Sequence, residues 1–564
     1  MRIHEYASNG DCNGVHKELR KGVPVDSRDE RDYTPLACAA SSPQAGEDIL
    51  QLLIKSGADV NAVVDERRNH SPLDLAARLG DVIKVQCLLD TGADINKVSP
   101  KGYTVLINVM YALHDDENLV QVADLLVKNG AQINCETEYG ESPLSVASMR
   151  GRFDVVKYLL DAGADPSPLE WTPLMKAVAL GTSQEVSLLL SDGTAIDGED
   201  SVSRTPVQIA AQVGDARKAA LLHEHGCKID HSGENHETAL TIAAANGHIE
   251  MMRWLIEHGA DLEAVNRMDA TALMIAAQSG QTACVELLLK GGANASRKNQ
   301  FNENAISSTS CEQVVRLLIE AGEDLADIST EMKRMLIGHS AGGSIDVSPV
   351  EYRAGRARRF GRSNPEVMNV PYWDEMIRAG VNAYQPRKKF NDTDRLSEPV
   401  WCFDRFGMSF TELPDGRFVQ IGGEHEDYYD PDFCIYNDVV VHEQSGEFEI
   451  MGYPEDVFPP TDFHSATVVN GDIYIIGRLG YHGTREFGTT PVYRLNCRTW
   501  SIKRVETGGD NPGWIFKHKA SFDGSTGIVV SSGTICQVVD GEEQHIENAD
   551  RFRLDLSNMI WSRI

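Results

Sequence analysis

The sequence has 564 residues, of which 41% are hydrophobic and 24% charged, and its formal net charge is −31 at pH 7. A chain of this length builds more than one core, so we expect several domains. The negative charge repels a phosphate backbone, which argues against nucleic acid as the main partner. No stretch approaches the roughly 18 apolar residues of a membrane span, and the N-terminal MRIHEYASNGD lacks the apolar core of a signal peptide. We therefore expect a soluble, cytoplasmic protein that binds neither membrane nor nucleic acid.

The eleven cysteines are spread from Cys12 to Cys536. They form no C-x-x-C pair and no cluster with zinc-finger spacing. An odd number of scattered cysteines is typical of free, mostly buried thiols in a reducing compartment. The sequence therefore gives no reason to assign a metal ligand or a cofactor.

A short motif recurs through the first three hundred residues. It begins at Thr34, Ser71, Thr104, Ser142, Thr172, Thr205, Thr238 and Thr271, with steps of 37, 33, 38, 30, 33, 33 and 33 residues. Most copies read Thr/Ser-Pro-Leu or Thr-Ala-Leu, and an Ala-rich segment and a second apolar stretch follow. This period and motif resemble the ankyrin repeat, over about residues 1–328. About ten units can be counted, with degenerate ones at both ends.

The residues of each unit predict a pair of helices. Ser or Thr caps the first helix, and proline at its first position loses no hydrogen bond. A glycine such as Gly259 or Gly292 ends the second helix in a left-handed conformation. Each pair buries its apolar face only against its neighbours, so the array is expected to be an α-solenoid.

The resemblance implies that this solenoid binds other proteins through its hairpin tips and first helices. Aromatic residues, Arg and Met near the tips are candidate anchors, because large rigid side chains and forked hydrogen bonds dominate interface energies. The candidates are Tyr33, Arg67, Tyr103, Tyr139, Trp171, Arg204 and Met268. The alternative is that some of them pack on adjacent hairpins.

Residues 329–395 are predicted to connect two different arrays. A basic run, Glu351 to Arg362, is expected to dock on an acidic face of this same protein. In the stretch from Pro371 to Gln385, apolar residues recur at helical spacing, which predicts a helix packed against a domain.

The pattern changes to β alternation after about Asn391, and three units recur. Their first strands lead to Gly422-Gly423, Gly477-Arg478 and Ser532-Gly533. A period near fifty residues with these features resembles kelch repeats, over about residues 396–564. The expected fold is therefore multidomain α + β: an ankyrin solenoid followed by an antiparallel, all-β, kelch-like partial propeller.

Three blades are fewer than the about four to eight of a propeller and leave sheet edges to be covered. Two chains could join three blades each into a ring, which makes a homodimer through this region one hypothesis. The blades could instead lean on the ankyrin domain or on Met368 to Phe390, or form a sheet that does not close.

The loop after Gly423 holds the densest polar cluster of the β region. The candidate ligand- or protein-binding residues on this face are His425, Glu426, Asp427, Tyr428, Tyr429, Asp430, His464 and His518. A solvated acidic loop and a cation site are the alternatives; the carboxylates suit a hard cation, but the glycine and distal Glu of an EF-hand loop are absent.

The favoured function is a non-enzymatic scaffold or adaptor that binds one or more proteins through two surfaces. A ligand- or metal-dependent enzyme at loop 424–433 is the second hypothesis. The third is a serine hydrolase, because GHSAGG fits G-x-S-x-G with Ser340 as nucleophile. The preceding DISTEMKRMLIG predicts a helix rather than the strand which that motif needs, and no βαβ alternation surrounds it.

Overall fold

The computed structural model describes residues 2–64, 70–112, 116–233, 236–325, 328–339, 343, 345–392, 399–425 and 433–564. The chain forms two compact units: Met1–Ala276 with Lys290–Ala293, and Ala277–Leu289 with Asn294–Ile564. No helix within the described ranges is both long enough and apolar enough to cross a bilayer.

Ten helix pairs lie within the described residues. The helices are α1 (Arg2–Ser8), α2 (Cys12–Arg20), α3 (Pro35–Ser41), α4 (Glu47–Lys55), α5 (Pro72–Leu79), α6 (Val82–Asp90), α7 (Val105–Met110), α8 (Asp116–Lys128), α9 (Pro143–Met149), α10 (Phe153–Asp161), α11 (Pro173–Leu180), α12 (Ser183–Ser191), α13 (Pro206–Val213), α14 (Ala216–Glu224), α15 (Ala239–Asn246), α16 (Ile249–Glu257), α17 (Ala272–Gln278), α18 (Thr282–Gly291), α19 (Ala305–Ser308) and α20 (Glu312–Glu320). A 3-10 helix, Ser167–Leu169, precedes α11.

The predicted helix caps are present. Thr34 Oγ1 accepts the N–H of Ala37 at 3.2 Å, and Pro35 occupies the first position of α3. Gly259 follows α16 with φ +82°, the left-handed conformation that glycine adopts without a Cβ clash.

Asparagine and aspartate side chains join successive repeats. Asn61 Oδ1 accepts the N–H of Asp94 at 2.8 Å, and Asn96 Oδ1 accepts that of Gln132 at 2.9 Å. The Asp-x-Asn segments that contain Asn61 and Asn96 therefore tie each of these repeats to the next.

The connecting segment folds as part of the second unit. Its elements are α21 (Thr330–Leu336), α22 (Pro349–Gly355), β1 (Glu366–Val367), α23 (Pro371–Ala379) and α24 (Tyr384–Lys389). Of the stretch predicted to be an amphipathic helix, Pro371 to Gln385, the first nine residues form α23, which buries Trp373 and Met376 and ends at the left-handed Gly380. From the basic run, Arg356 pairs with Asp392 and Arg358 donates to the Ile435 carbonyl, so the run docks within the protein.

Antiparallel strands fill the rest of the second unit. They are β2 (Ser409–Glu412), β3 (Phe418–Ile421), β4 (Glu424–His425), β5 (Cys434–Ile435), β6 (Val439–His442), β7 (Phe448–Gly452), β8 (Ser465–Val469), β9 (Asp472–Ile476), β10 (Val492–Asn496), β11 (Ile502–Arg504), β12 (Gly508–Gly509), β13 (Trp514–Phe516), β14 (Lys519–Phe522), β15 (Gly527–Ser531), β16 (Thr534–Val539), β17 (Glu542–Glu547), β18 (Arg551–Asp555) and β19 (Ile560–Arg563). One pair, β12 with β19, is parallel.

Three sheets repeat one topology, and we name them the first, second and third sheet. Their strand orders are β1-β7-β6-β3-β2, β11-β10-β9-β8 and β12-β19-β18-β15-β14. In each, the strand that comes first in the repeated unit lies at the edge: β2, β8 and β14. A separate sheet, β13-β16-β17, carries a long hairpin, and β1 of the connecting segment extends the first sheet.

Glycine allows adjacent sheets to approach closely. The N–H of Gly423 donates to the Thr461 carbonyl at 2.8 Å, and the N–H of Arg478 donates to the Ile515 carbonyl at 3.0 Å. The preceding Gly422 and Gly477 have positive φ, and a Cβ on Gly422 would lie 2.1 Å from the Thr461 oxygen. The first glycine of the repeated pair is therefore required by the junction between sheets.

The outer two of these edge strands contact the last helical repeat inside the second unit. Arg316 of α20 lies 3.6 Å from Glu412 of β2. Lys519 of β14 lies 3.5 Å from Glu323 and donates to Ser296 at 2.9 Å. Inside the second unit, two of the sheets therefore lean on the last helical repeat.

Candidate functional site

Six described hairpins between helix pairs are closed by one side chain each. Asp29 Oδ1 accepts the N–H of Arg31 at 2.9 Å and that of Tyr33 at 2.8 Å. Equivalent acceptors are Ser99, Thr137, Asp200, Asn266 and Asn299. Counting the acceptor as position one, the residue at position four has a positive φ, as in Asp32 and Asp269. Short polar side chains stabilise such turns, so this local chemistry fixes each tip.

Position three of each hairpin is the tip. Its residues are Arg31, Lys101, Tyr139, Val202, Met268 and Phe301. Tyr139 is 61% exposed, Met268 52% and Phe301 62%, which is a large exposure for apolar side chains. Two of the residues predicted from the sequence, Tyr139 and Met268, therefore lie where a partner can contact them.

At position five, three aromatic or basic side chains point back toward the repeat. Tyr33 and Tyr103 occupy position five and are half-buried. Trp171 is also half-buried and, like them, directly follows a residue with positive φ, Glu170. The Trp171 indole Nε1 lies 3.4 Å from Asp200 Oδ2, and its ring lies 6.3 Å from that of Phe153. These three aromatic residues support the hairpins and present only part of their surface. Arg67, also predicted, lies outside the described residues.

Arg204, at position five of its hairpin, is buried. Its Nε and Nη2 donate to Asp200 Oδ2 at 2.9 and 2.6 Å, and Nη1 and Nη2 donate to the carbonyl and hydroxyl of Ser148, both at 2.8 Å. The remaining N–H of Nη1 donates to Gln212. All five donors are engaged inside the unit, so Arg204 joins its hairpin to the end of α9 and offers no donor to a partner.

A group of aromatic and basic residues surrounds the hairpin that ends at Glu141. Tyr103 and Tyr111 donate their hydroxyls to the two carboxylate oxygens of Glu141, at 2.7 and 2.6 Å. Arg150 lies 5.2 Å from the ring centroid of Tyr111. The hydrogen bond to Glu141 raises the pKa of Tyr103 to about 12, so this hydroxyl stays protonated.

Lys101 extends this group toward the tip. Its Nζ lies 5.6 Å from the ring centroid of Tyr139. Both residues are exposed, as is Arg150. We call Lys101, Tyr103, Tyr111, Tyr139 and Arg150 the tyrosine patch. Both oxygens of Glu141 accept from tyrosines and are held inside the patch, and Lys101 and Arg150 are its positively charged members.

The β-region candidates are distributed differently from expectation. His464 and His518 are both buried, and each donates to or accepts from the preceding sheet: His464 Nε2 lies 2.8 Å from Ser409 Oγ, and His518 Nε2 lies 2.9 Å from Ser465 Oγ. Burial lowers the pKa of His464 to about 3 and that of His518 to about 4. The two imidazoles join adjacent sheets and do not face solvent.

The other β-region candidates belong to the loop after Gly423. His425 is half-buried in β4, and Glu426, Asp427, Tyr428, Tyr429 and Asp430 lie outside the described residues.

The stretch that resembles a nucleophile elbow begins at the end of a helix. α21 ends at Leu336, and Gly338 follows with φ +75°. His339 packs against the rings of His442 and Phe448 at 6.4 and 5.8 Å. A nucleophile elbow needs a strand before the serine, and the structure has a helix there, as the sequence predicts. Ser340 itself lies outside the described residues.

Two groups of residues were missed by the sequence analysis. Phe301 lies at the tip position of its hairpin, and the regular spacing from its acceptor Asn299 could have identified it. Cys536, Glu543 and His545 meet on one face of the β16–β17 hairpin. Their positions in the chain match no metal-binding motif, so only the strand register shows that they are close.

Comparison with known proteins identifies the helical repeats. The family described as "Ankyrin repeats (3 copies)" matches residues 3–99, 84–169 and 207–299. The N-terminal helical repeats are ankyrin repeats. The gap in this match, residues 170–206, contains α11 and α12, the repeat that Arg204 bridges.

Curated proteins resemble parts of the chain. Human "Ankyrin repeat and SOCS box protein 6" is 32% identical over 173 residues, which cover 26% of this chain and 39% of that protein. The ankyrin repeat protein YahD of Escherichia coli is 29% identical over 175 residues, 29% of this chain and 83% of YahD. The mouse "B-cell lymphoma 3 protein homolog" is 32% identical over 149 residues, 25% of this chain and 31% of that protein. The chain thus spans about two fifths of the human relative.

Proposed function

We propose that this protein is a non-enzymatic scaffold that binds a partner protein through its ankyrin hairpin tips. Ankyrin repeats are a protein–protein interaction module. The observation that carries the proposal is the tyrosine patch, where the exposed Tyr139 lies beside Lys101 and the exposed Arg150 lies over the ring of Tyr111. Tyr and Arg are enriched among residues that dominate binding energy, because they bury large area at low entropic cost.

The patch is built to be rigid before binding. Glu141 holds Tyr103 and Tyr111 through short hydrogen bonds, and Tyr111 supports Arg150. A preformed surface loses little conformational entropy on association, which favours affinity. The charge of Lys101 and Arg150 favours a partner segment with an acidic residue next to an apolar or aromatic one.

The three sheets form the second part of the proposal. We assign residues 396–564 to three kelch-like blades, 329–395 to the connection and 1–328 to the ankyrin array. Two observations support three equivalent units. A glycine, Gly422 or Gly477, lies at each junction between adjacent sheets, and a histidine–serine contact recurs at both junctions. These blades would offer a second protein-binding surface, whose loop 424–433 lies mostly outside the described residues.

A homodimer through the blades stays a prediction. The contacts of Arg316 with Glu412 and of Lys519 with Glu323 favour a monomer, because they engage the outer edge strands within one chain. Light scattering at high concentration distinguishes the two states.

The eleven free thiols, eight of them buried, suit the reducing cytoplasm that we propose as the location.

The test uses the full-length protein. Partners captured from extracts of the source cells are identified by mass spectrometry, and their affinities are measured by calorimetry. Tyr139→Ala combined with Arg150→Ala should weaken the partner's Kd at least about thirtyfold, the effect of removing one hot spot worth about 2 kcal/mol. Tyr384→Ala is the matched control, because Tyr384 is equally exposed at 63% but lies in α24. Equal affinities of all three proteins would exclude the tyrosine patch as the binding surface.

A further inference from the structure

The β16–β17 hairpin presents three metal-binding side chains on one face. Cys536 lies directly opposite His545 in the strand register, and Glu543 lies two residues before His545, on the same side of β17. One ligand atom from each residue lies within 4.8 Å of the other two. Cys536 is buried, whereas Glu543 and His545 are exposed, so the group is open to solvent on one side.

The loop between β9 and β10 covers this face with two further polar residues. His482 Nδ1 lies 3.5 Å from Glu543 Oε2, and the His482 side chain is 84% exposed. Arg485 forms an ion pair with Glu543 Oε1, and its Nη1 lies 3.8 Å from Cys536 Sγ. The carbonyls of Leu479 and Gly480 hold the guanidinium, each accepting at 3.0 Å.

We propose that Cys536, Glu543, His545 and His482 bind one Zn²⁺ ion. Thiolate, imidazole and carboxylate together suit zinc, which takes four ligands in a tetrahedron. The thiol releases its proton to solvent when the metal binds, so the metal and the Cys536 proton exchange. Arg485 contacts one oxygen of Glu543 and leaves the other for the metal, and such outer contacts orient ligating carboxylates.

The arrangement of the chain explains what the ion would do. Cys536, Glu543 and His545 belong to the hairpin, whereas His482 belongs to the facing loop of residues 477–491. A bound ion would therefore tie the hairpin to that loop. This role is independent of the ankyrin surface, and either proposal can fail without the other.

The test measures metal binding by the full-length protein. Cobalt(II), which replaces zinc and is coloured, should give the sulfur-to-cobalt charge-transfer absorption of a thiolate ligand at one equivalent per chain. Added zinc should displace it, and elemental analysis after dialysis against zinc should find one ion per chain. Cys536→Ser should abolish the absorption, and His545→Asn should weaken zinc binding at least tenfold. Since His545 is exposed, this second variant keeps the test valid if Cys536→Ser does not fold.

Matched controls use a cysteine and a histidine outside the cluster. Cys497→Ser, also buried in the β region, and His16→Asn, exposed in α2, should both bind zinc as the unmodified protein does. His482→Ala should weaken binding at least tenfold, and an unchanged affinity would remove His482 from the ligand set. No cobalt–thiolate absorption, or zinc retained equally by Cys536→Ser and His545→Asn, would overturn the site.

Discussion

His518 Nε2 lies 2.9 Å from Ser465 Oγ and connects the third sheet to the second through a buried hydrogen bond. The same contact connects the second sheet to the first, where His464 meets Ser409 at 2.8 Å. At the corresponding position of the third sheet, Lys519 replaces the serine and contacts Glu323. A fourth sheet with the same contact would need a serine hydroxyl at position 519 to pair with its histidine. The lysine found there cannot make that contact, and the series ends at the third sheet.

Acid should destabilise the sheet junctions before the ankyrin repeats. Burial lowers the pKa of His464 to about 3 and of His518 to about 4, below the ordinary histidine value. The unfolded state therefore takes up protons below about pH 6.5 while the folded state does not, so stability is complete above that pH and falls toward pH 4. Each histidine contributes a slope of up to about 1.4 kcal/mol per pH unit.

The measurement is denaturant unfolding at pH 7.5, 6, 5 and 4.5, followed by tryptophan fluorescence. Five of the seven tryptophans, from Trp373 to Trp561, lie in the second unit and report on it. His464→Asn keeps a hydrogen-bonding group but cannot titrate, so its stability should fall less steeply with acid. A variant with an unchanged slope contradicts the assignment.

Gly422→Ala, at the junction between the first and second sheets, should lower the free energy of unfolding more than Gly471→Ala, which lies in a turn. Both glycines have positive φ, so each substitution costs about 1–2 kcal/mol in backbone strain. Only at Gly422 does the new Cβ also meet a backbone oxygen, that of Thr461 at 2.1 Å; at Gly471 nothing lies within 4 Å. Unfolding free energies from urea titration should therefore differ between the two variants, and equal losses would contradict the close approach.

Arg405→Ala should be among the most destabilising substitutions in the second unit. Arg405 is buried, forms an ion pair with Asp438, donates to the carbonyls of Cys402 and Gly422, and stacks on Tyr436 at 3.6 Å. Removing it leaves the Asp438 carboxylate buried without its partner, at a cost of about 3–5 kcal/mol. The double variant Arg405→Met with Asp438→Asn should recover part of the loss in denaturant unfolding. If the unfolding free energy of Arg405→Ala lay within about 1 kcal/mol of that of the unmodified protein, the pair of Arg405 and Asp438 would not be buried as described.

Arg204→Ala should uncouple the repeats on either side of α11. The guanidinium is the link from Asp200 to the end of α9, so its loss leaves a buried carboxylate unpaired and costs about 3–5 kcal/mol. Hydrogen exchange should accelerate in α9 and α13. The control is Arg253→Ala, since Arg253 is half-exposed and lies 3.8 Å from the exposed Glu250, and such pairs contribute about 0–1 kcal/mol. Equal exchange in both variants would refute the link.

Local chemistry made much of the fold predictable. The Thr34 cap and the left-handed Gly259 follow from residue type alone, and the period of the motif gives the repeats. The orientation of a hairpin side chain depends on its distance from the acceptor, so Tyr139 and Arg204 look equivalent in sequence and differ in exposure.

The pairing of strands was the part of the fold that the sequence did not predict. Cys536 and His545 are nine residues apart, and only the antiparallel register of β16 and β17 brings them together. β1 joins the first sheet from a segment expected to be a connection, because the edge strand β7 accepts a partner. The buried histidines were predicted at an exposed face, since sequence position gives the end of a strand but not its neighbours.

Site-specific photo-crosslinking tests the proposed binding surface most directly. A benzophenone amino acid replaces Tyr139 at the tyrosine patch, Met268 at a second hairpin tip, or the equally exposed Tyr384 of α24, in the full-length protein. We predict that the partner captured by the unmodified protein crosslinks at positions 139 and 268 and not at 384. Crosslinking at 384 alone, or equally at all three positions, would contradict binding through the ankyrin hairpin tips.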